Sequence, residues 1–435
     1  MKALTIIALL SLAKSSFSQP MIIAEQNSGI TQTLTSVSSN AFGTINTYAW
    51  VCGYSGTVLR TINGGTTWQN VSGNGIPTNI QLINIACIDG NTAITSGYIG
   101  SNTFAYRTSN AGANWVQVFT EANGFINAVC FRSSTAGLMM GDPVGGRWSL
   151  WKTFNGGITW DSSGLRLPQA GSEAGWNNSM HTRLNQTWFG TNNSKIYYST
   201  NFGSPWTSQP TTGEVNSYAL FFPELSATPE GFAGGAALLR TNNNGLNWNT
   251  QSATGTGNYG GITGGPYIIT GNALGFFNLF SVRNSNIIYT SSNNGVNWSS
   301  LHTAPSGTYR HIGSNYLASE SWAVRDNGGI TYIYMSPAGI NQISNEIPGQ
   351  FSLNQNYPNP FNPNTVISYQ IAASNFAKIK VYDILGNEIT TLVNEKQNSG
   401  SYSVEFNGAN YPSGIYYYKL EAGDFSEVRK MILLK

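Results

Sequence analysis

The sequence predicts an all-β protein in which a seven-bladed β-propeller is followed by a small β-sandwich. One octad recurs six times between Thr61 and Trp298, with the pattern Ser/Thr, any residue, Asn, any residue, Gly, two residues, Trp. Short segments of alternating polar and apolar character lie between the copies, and near Phe351 the repeats give way to a proline-punctuated segment. A period of about 40 to 50 residues built from short strands is typical of propeller blades.

The composition fits folded, turn-rich β structure. Of 435 residues, 9% are charged, 12% are aromatic and 49 are glycine. Disordered chains combine few aromatic residues with a high net charge, and this chain has a formal charge of +2. The basic residues form no run that could neutralise a row of phosphates, so nucleic acid is not an expected partner. The three cysteines are an odd number, so at least one must be unpaired within the chain.

Residues 1–18 have the features of a secretory signal peptide. Lys2 is followed by an apolar run from Ala3 to Ala13 and by small residues up to Ser18, after which cleavage is expected. A membrane anchor is the alternative interpretation, but a helix needs about 20 apolar residues to span a bilayer, and this run is much shorter. We therefore expect no membrane span in the mature protein.

Each octad is predicted to form a tight turn between two strands. The Ser/Thr hydroxyl and the Asn amide can hydrogen-bond backbone groups inside the turn, and the Gly permits a positive φ. The Trp covers the hairpin with apolar surface. The six copies are "TINGGTTW", "TSNAGANW", "TFNGGITW", "STNFGSPW", "TNNNGLNW" and "SSNNGVNW", ending at Trp68, Trp115, Trp160, Trp206, Trp248 and Trp298.

A seventh blade is expected from the segment that starts at Ser321. It repeats the strand–turn–strand layout of the first blade, with Gly339 in the place of the octad glycine and Gln342 in the place of the tryptophan. We expect an N-terminal strand around Met21 to Glu25 to complete this blade and close the ring, which would protect the sheet edges. The propeller is thus expected to occupy residues 19–345.

Residues 346–435 are expected to form a linker and a separate domain. Pro358, Pro360 and Pro363 exclude a helix and favour an extended segment. Short alternating segments follow, among them "KIKVYDI", "SYSVEF", "GIYYYKLEAG" and "VRKMILLK". About seven short strands in under a hundred residues predict a small β-sandwich.

The octads resemble Asp boxes, the hairpin motifs of BNR-type repeats in sialidase-like and photosystem-assembly-factor-like propellers. Every copy here has Asn where that family usually has Asp. The resemblance implies a structural role for the boxes at the blade periphery and implies no activity. Sialidases with this repeat carry an arginine triad and an Arg-Ile-Pro segment, and the "YRHIG" at Tyr309 does not supply that segment.

"NYPNPFNPNT", "VYDILGNEI", "SGIYYYKLEAG" and the terminal "KMILLK" resemble, in order, the motifs of the type A C-terminal sorting domain of type IX secretion substrates. The resemblance runs from Phe351 to Lys435. It implies an immunoglobulin-like sandwich that is read by the secretion machinery at the outer membrane, and that is often cleaved as its cargo is released or attached to the surface. It also implies a Gram-negative host of the Bacteroidetes type and a secreted or surface-attached protein that passes through the periplasm.

No motif indicates a cofactor, a metal site or a nucleophile. The sequence contains no closely spaced cysteine pair, no HExxH, no aspartate-rich calcium loop and no GxSxG. We therefore expect neither a metal nor a cofactor.

Propeller topology places the loops between second and third strands, and the links between blades, on the face opposite the octads. We expect that face to gather eight ligand-binding candidates: Asp142, Arg147, Glu173, Trp176, His181, Arg183, Arg310 and His311. His181 and His311 are expected to start innermost strands beside an arginine, with His302 nearby. If a histidine charge contributes to ligand binding, affinity should change between about pH 5 and 8. The alternative is that these polar groups hydrogen-bond one another and channel water.

Three functions are compatible with these features. The first is a secreted binding or scaffold module, in which a loop tryptophan such as Trp176 stacks on a glycan ring or a protein side chain. The second is a glycosidase or lyase, for which Asp142 and Glu173 are the candidate acid pair. The third is a structural adhesin or surface-layer component. Trp50, Trp188 and Trp322 recur on second strands and are expected in the core under all three.

Overall fold

The computed structural model describes residues 21–39, 48–223, 229–252, 254–264, 268–270, 273–276, 278–314, 320–335, 340–344, 348–408 and 411–434. One compact unit spans Ile22–Met335, and a second contains Ser336–Lys435. The proposed signal peptide, residues 1–18, lies outside the described residues. The expected boundary after residue 345 is too late, because the strand before it belongs to the second unit.

The described part of the first unit forms seven blades, each a single β-sheet. In blades 1 to 6 neighbouring strands are antiparallel and follow one another in chain order from the inside of the ring outward. Blades 1 to 3 contain β2 Leu34–Ser39, β3 Ala49–Gly53, β4 Val58–Thr61 and β5 Gln69–Asn70; β6 Gln81–Cys87, β7 Ala93–Ile99, β8 Asn102–Thr108 and β9 Val116–Ala122; and β10 Ile126–Phe131, β11 Gly137–Val144 and β12 Arg147–Thr153. An isolated bridge from Lys152 to Asp161 stands in place of a fourth strand in blade 3.

Blades 4 to 6 repeat the layout. They contain β13 Gly175–Arg183, β14 Gln186–Thr191, β15 Lys195–Ser199 and β16 Thr207–Pro210; β17 Ala219–Phe221, β18 Gly231–Gly234, β19 Leu238–Thr241 and β20 Asn249–Gln251; and β21 Tyr259–Gly264, β24 Leu279–Arg283, β25 Ile287–Ser291 and β26 Ser299–Thr303. A separate hairpin, β22 Ile268–Thr270 and β23 Ala273–Phe276, is inserted in blade 6.

Blade 7 closes the ring with strands from both ends of the unit. Its inner strands are β27 Tyr309–Ser314, β28 Glu320–Arg325 and β29 Ile330–Met335, and its outermost strand is β1 Met21–Gln26. The expected N-terminal closing strand is therefore confirmed. On β1, Glu25 accepts hydrogen bonds from Thr331 at 2.7 Å and from Arg325 of the same blade.

The expected octad-like end of blade 7 is wrong. Gln342 lies on a strand, β30 Ile340–Ser344, that pairs with residues 401–404 of the second unit. Gly339 lies outside the described residues. Blade 7 takes its outer strand from the N-terminus, so it needs no octad to lead into one.

The octads form the predicted turns. In blade 2, Gly112 N donates to Thr108 Oγ1 at 3.0 Å, Thr108 Oγ1 donates to Asn110 Oδ1 at 3.0 Å, and Asn114 N donates to the same Asn110 Oδ1. The glycine is required because it has a positive φ, as at Gly157 (+79°), and a Cβ there would collide with Ile94 of the preceding blade.

The octad tryptophans pack between blades. Trp115 of blade 2 is 4% exposed, and its ring meets Trp50 of blade 1 edge-on with centroids 5.9 Å apart. The second-strand residues Trp50, Trp188 and Trp322 are fully buried, which confirms that they belong to the core. Apolar clusters lie at the boundaries between blades, and this packing holds neighbouring sheets together.

The second unit is a sandwich of two four-stranded sheets in its described part. Its strands are β30 Ile340–Ser344, β31 Ser352–Leu353, β32 Asn364–Ile371, β33 Asn375–Tyr382, β34 Glu388–Gln397, β35 Gly400–Asn407, β36 Gly414–Ala422 and β37 Phe425–Leu433. One sheet has the order β30-β35-β32-β31 and the other β34-β33-β36-β37. A shared core of side chains such as Ile367, Tyr369, Val381 and Tyr418 fills the sandwich.

Candidate functional site

The two ends of the propeller carry different loops. At the lower face each octad joins a third strand to a fourth, and the turns between first and second strands lie on the same face. At the upper face the second strand turns into the third, and each blade links to the next. Five predicted site residues, Asp142, Arg147, Glu173, Trp176 and Arg310, lie at the upper face, and His311 follows Arg310 on β27.

His181 and Arg183 do not belong to that face, so the expected convergence is wrong for these two residues. They lie at the end of β13, where Arg183 pairs with Gln186 at the turn into β14. Arg183 donates to Asn244 Oδ1, inside the octad of blade 5, at 2.8 Å. The error comes from strand length, because β13 starts at Gly175, six residues before His181.

His181 and His311 are also unsuited to sensing neutral pH. Burial lowers the pKa of His181 to about 3, with a further contribution from Arg183. Burial lowers the pKa of His311 to about 4. Its Nδ1 accepts a hydrogen bond from Val37 N at 3.2 Å, which requires that nitrogen to be unprotonated. Neither histidine is therefore expected to make ligand binding change between pH 5 and 8.

Glu173 is enclosed rather than open to a ligand. Its carboxylate is fully buried and pairs with Lys195 Nζ at 2.6 Å. It also accepts hydrogen bonds from four further donors: Tyr197 Oη at 2.9 Å, Asn193 Nδ2 at 3.1 Å, Ala170 N at 3.2 Å and Trp148 Nε1 at 3.3 Å. Burial alone would raise its pKa, but these donors outweigh burial and the pKa lies below its usual range. A carboxylate held in this way shapes the link between blades 3 and 4.

Asp142 joins blades 3 and 4 while remaining half-buried. Its Oδ1 accepts from Asn127 Nδ2 and from Gly175 N, both at 2.7 Å. Its backbone N donates to the carbonyl oxygen of Phe125 at 2.9 Å. Burial raises the pKa of Asp142, and the two hydrogen bonds oppose this shift.

Two aromatic pairs flank Asp142. On one side Trp176 meets Tyr218 of blade 5, with ring centroids 4.3 Å apart. On the other side Phe125 meets Tyr98 of blade 2, with centroids 5.2 Å apart. All four rings are half-buried. We call Tyr98, Phe125, Asp142, Trp176 and Tyr218 the upper-face row, because the bonds of Asp142 to Phe125 and Gly175 connect them from blade 2 to blade 5.

A β-bulge in β13 lies beside this row, and the sequence pattern did not predict it. The register jumps between Gly175 and Met180, and Asn178 takes a positive φ of +61°. The Asn178 side chain reaches blade 1, where its Oδ1 accepts from Ser36 Oγ at 2.9 Å and its Nδ2 donates to Thr35 O at 3.3 Å. Blades 4 and 1 are not neighbours in the ring, so this side chain crosses the central channel. The two adjacent asparagines in "GWNNSM" could have indicated this bulge, because Asn tolerates a positive φ.

Other upper-face carboxylates also hold loops in place. Asp326 Oδ1 accepts from Thr308 N at 2.8 Å, and its Oδ2 accepts from Arg310 at 3.1 Å. Glu214 Oε2 accepts from Ala237 N at 2.7 Å. Arg147 is exposed and lies with Glu121 on a crevice of about 40 Å³.

Among the described residues, no group of three or more His, Cys, Asp or Glu side chains is arranged to hold a metal ion. In that same part of the chain, no helix has the length and apolar character needed to cross a membrane.

The first and last sequence motifs of the second unit are joined by hydrogen bonds along the outer edge of β37. Phe361 N donates to Ile432 O at 3.0 Å, and Leu434 N donates to Phe361 O at 2.9 Å. Asn359 Oδ1 accepts from Ile432 N at 2.9 Å, and Gln355 Nε2 donates to Lys430 O at 2.7 Å. We call residues 355–361 the clasp. It covers an edge that would otherwise be open to pairing with another chain.

Comparison with known families identifies the second unit. Residues 355–434 match the family described as "Secretion system C-terminal sorting domain". The matched segment begins at the clasp and ends beside β37, so it contains both partners of the hydrogen bonds just described. The sequence-based assignment of a sorting domain is confirmed.

Solved structures establish the fold of the larger unit. The chain is similar to a structure described as "YCF48 bound to D1 peptide", at 13% identity and a TM-score of 0.52, covering 74% of this chain and 98% of that chain. It is also similar to the WD40 β-propeller domain of Doa1, at 9% identity and a TM-score of 0.50, covering 73% and 99% respectively. These similarities confirm a propeller fold. No curated protein sequence matches the chain.

Proposed function

We propose that the chain is exported by type IX secretion and acts outside the cell as a binding module, with its ligand on the upper-face row. The sorting domain supports the export route. The location that follows is the surface or surroundings of a Gram-negative cell of the Bacteroidetes type, reached through the periplasm. Residues 1–18 would direct the first step, across the inner membrane, as a signal peptide.

The upper-face row carries the binding proposal. Two aromatic pairs lie on either side of a half-buried carboxylate, and one set of backbone and side-chain hydrogen bonds joins them. Aromatic faces supply apolar contact area, while Asp142 and the exposed Asn177 supply polar groups. Binding sites commonly combine an apolar lining with a few fixed polar groups.

The hydrogen bonds and the ion pair that the upper-face carboxylates already form favour ligand binding over hydrolysis as the function. A glycosidase needs two carboxyl groups that face the scissile bond and exchange protons with it. Glu173 is enclosed by Lys195 and four other donors, and Asp142 and Asp326 each accept a backbone N–H. Groups used in this way stabilise loops. We therefore propose that the Asp142 and Glu173 pair is not catalytic.

A glycan is the first ligand class to test, because sugar rings stack on the faces of aromatic side chains while their hydroxyls bond to amides and carboxylates. A peptide is the second, since a propeller of similar fold is described with a bound peptide. We further propose that the octads are Asp-box-type structural turns of the BNR class and make no contact with ligand.

Screening the secreted full-length protein against a glycan array and a peptide library tests the proposal. Trp176→Ala and Tyr218→Ala should each weaken binding of any hit at least tenfold. Phe154→Ala is the matched control, because Phe154 is 66% exposed but belongs to an octad on the lower face. Equal loss of binding in Phe154→Ala, or unchanged binding in Trp176→Ala, would contradict the upper-face site.

A further inference from the structure

The outward face of the sheet β34-β33-β36-β37 in the second unit carries exposed apolar side chains. On β36, Ile415 and Tyr417 are 40% and 37% exposed, and they alternate with the buried residues Tyr416 and Tyr418. Val428 on β37 is 52% exposed. Contiguous apolar surface on a folded domain commonly marks an interaction site.

A rigid turn adds two more apolar side chains beside this face. Between β33 and β34, Asp383 Oδ1 accepts from Leu385 N at 2.8 Å and from Asn387 N at 2.9 Å. Gly386 completes the turn with a φ of +82°. Ile384 and Leu385 are 68% and 81% exposed at its tip. Because hydrogen bonds fix the turn, ordering it on binding costs little.

The turn and the sheet border an open crevice of about 430 Å³. It is lined by the turn and by Tyr382, Tyr417, Lys419 and Val428. Tyr382 pairs across the sheet with Tyr417, and Tyr417 pairs with Lys430. Paired residues on neighbouring strands point to the same side of a sheet, so these three side chains form one row across the outward face.

The clasp fixes the far end of that row. Gln355 Nε2 and Asn359 Nδ2 both donate to the carbonyl oxygen of Lys430, at 2.7 and 3.4 Å. The Lys430 side chain is exposed and forms no ion pair within the described residues, whereas Lys380 and Lys419 are paired with Glu388 and Glu421. All four motifs that identify the domain therefore contribute to a single surface. That surface combines an apolar crevice with an unpaired positive charge.

We propose that this face, from the Ile384–Leu385 tip to Lys430, is where a protein of the secretion machinery docks. The complementary partner surface would insert an aliphatic or aromatic side chain into the crevice and place a carboxylate opposite Lys430. Two exposed apolar residues on a fixed turn and an unpaired cation at the other end of the row favour such a partner over a purely polar surface. The proposal rests on export by type IX secretion.

Expression of the full-length chain in a bacterium with this secretion system tests the proposal by cell fractionation. The double variant Ile384→Ser/Leu385→Ser should accumulate in the periplasm, with at least a tenfold drop in the exported fraction. Leu246→Ser is the matched control, because Leu246 is also 68% exposed but lies on the propeller, and it should be exported normally. Lys430→Glu should also impair export, whereas Lys396→Glu, at the other end of the sheet, should not.

Thermal unfolding of each purified variant separates docking from folding. If the double variant unfolds the sandwich, Lys430→Glu decides the matter, because it changes an exposed side chain. Normal export of the folded double variant and of Lys430→Glu would overturn the proposal. So would a wild-type dimer that the double variant abolishes without loss of export, since the occupant would then be a second copy. Normal export after deletion of Lys430–Lys435 would instead refute the export route itself.

Discussion

The propeller and the sorting domain use their short sequence motifs in different ways. In an octad the hydrogen bonds that form the turn stay within a few residues, as from Gly112 N to Thr108 Oγ1. In the sorting domain, Phe361 near the start bonds to Ile432 and Leu434 at the end. The propeller motif is therefore a local turn repeated six times, whereas the sorting motifs are separate parts of one non-local structure. Loss of a turn hydrogen bond should accordingly have a local effect in the first case, whereas loss of a motif should affect the whole domain in the second.

The largest effect is expected from deleting Lys430–Lys435. The deletion removes Met431 and Leu433, which are fully buried, and leaves the clasp without its hydrogen-bond partners. The sandwich should lose its unfolding transition altogether, while the propeller transition should remain. Calorimetry of the full-length and truncated chains checks this. Loss of both transitions would show that the two units do not fold independently.

A buried octad tryptophan should have the next largest effect. Trp115→Ala removes a ring that packs between blades 1 and 2 and should cost about 3 to 5 kcal/mol of unfolding free energy. Denaturant unfolding measures this, with Trp176→Ala as the comparison. If Trp115→Ala kept its stability but lost ligand binding, the structural role proposed for the octads would be wrong.

A smaller loss is expected from a single octad hydroxyl. Thr108→Val keeps the side-chain shape but removes the acceptor of Gly112 N and the donor to Asn110. The expected cost is about 1 to 2 kcal/mol, because one buried N–H is left without its partner. Thr66→Val is the control, since the Thr66 hydroxyl is exposed at a turn. An equal cost in both variants would contradict the role given to the first octad position.

A further effect depends on pH and concerns acid stability. The folded-state pKa of His311 is lowered to about 4 by burial, and an unfolded histidine titrates near 6.5. Between these values the unfolded chain binds a proton that the folded chain does not, so His311 reduces stability as the pH falls from about 6.5 to 4. His311→Gln should flatten the pH dependence of the propeller transition in that window. An unchanged slope would show that other groups dominate.

Sequence reasoning succeeded where a physical signal is local and repeated. The octads, the buried Trp50, Trp188 and Trp322 and the closing strand Met21–Gln26 all follow from periodicity and from the need to protect sheet edges. It failed at Gln342, because the residues of a strand do not determine which other strand it pairs with. Ile340–Ser344 continues the spacing of the repeats but pairs with β35 of the sandwich.

The site was harder to predict than the fold because the face on which a residue lies depends on where its strand starts. Because β13 starts at Gly175, His181 and Arg183 lie towards the other end of the strand, at the lower face. Trp176 lies on the upper face, but its partner Tyr218 and Asn178, whose side chain crosses the channel, come from irregular backbone that periodicity does not reveal.

We propose that ligand binding and export belong to different surfaces of the chain, and measuring both in the same two variants tests this most directly. Trp176→Ala should be exported like the wild type and bind its ligand at least tenfold more weakly. Ile384→Ser/Leu385→Ser, released from the periplasm, should bind with wild-type affinity and show at least a tenfold loss of export. The claim would be contradicted if either folded variant lost both activities together.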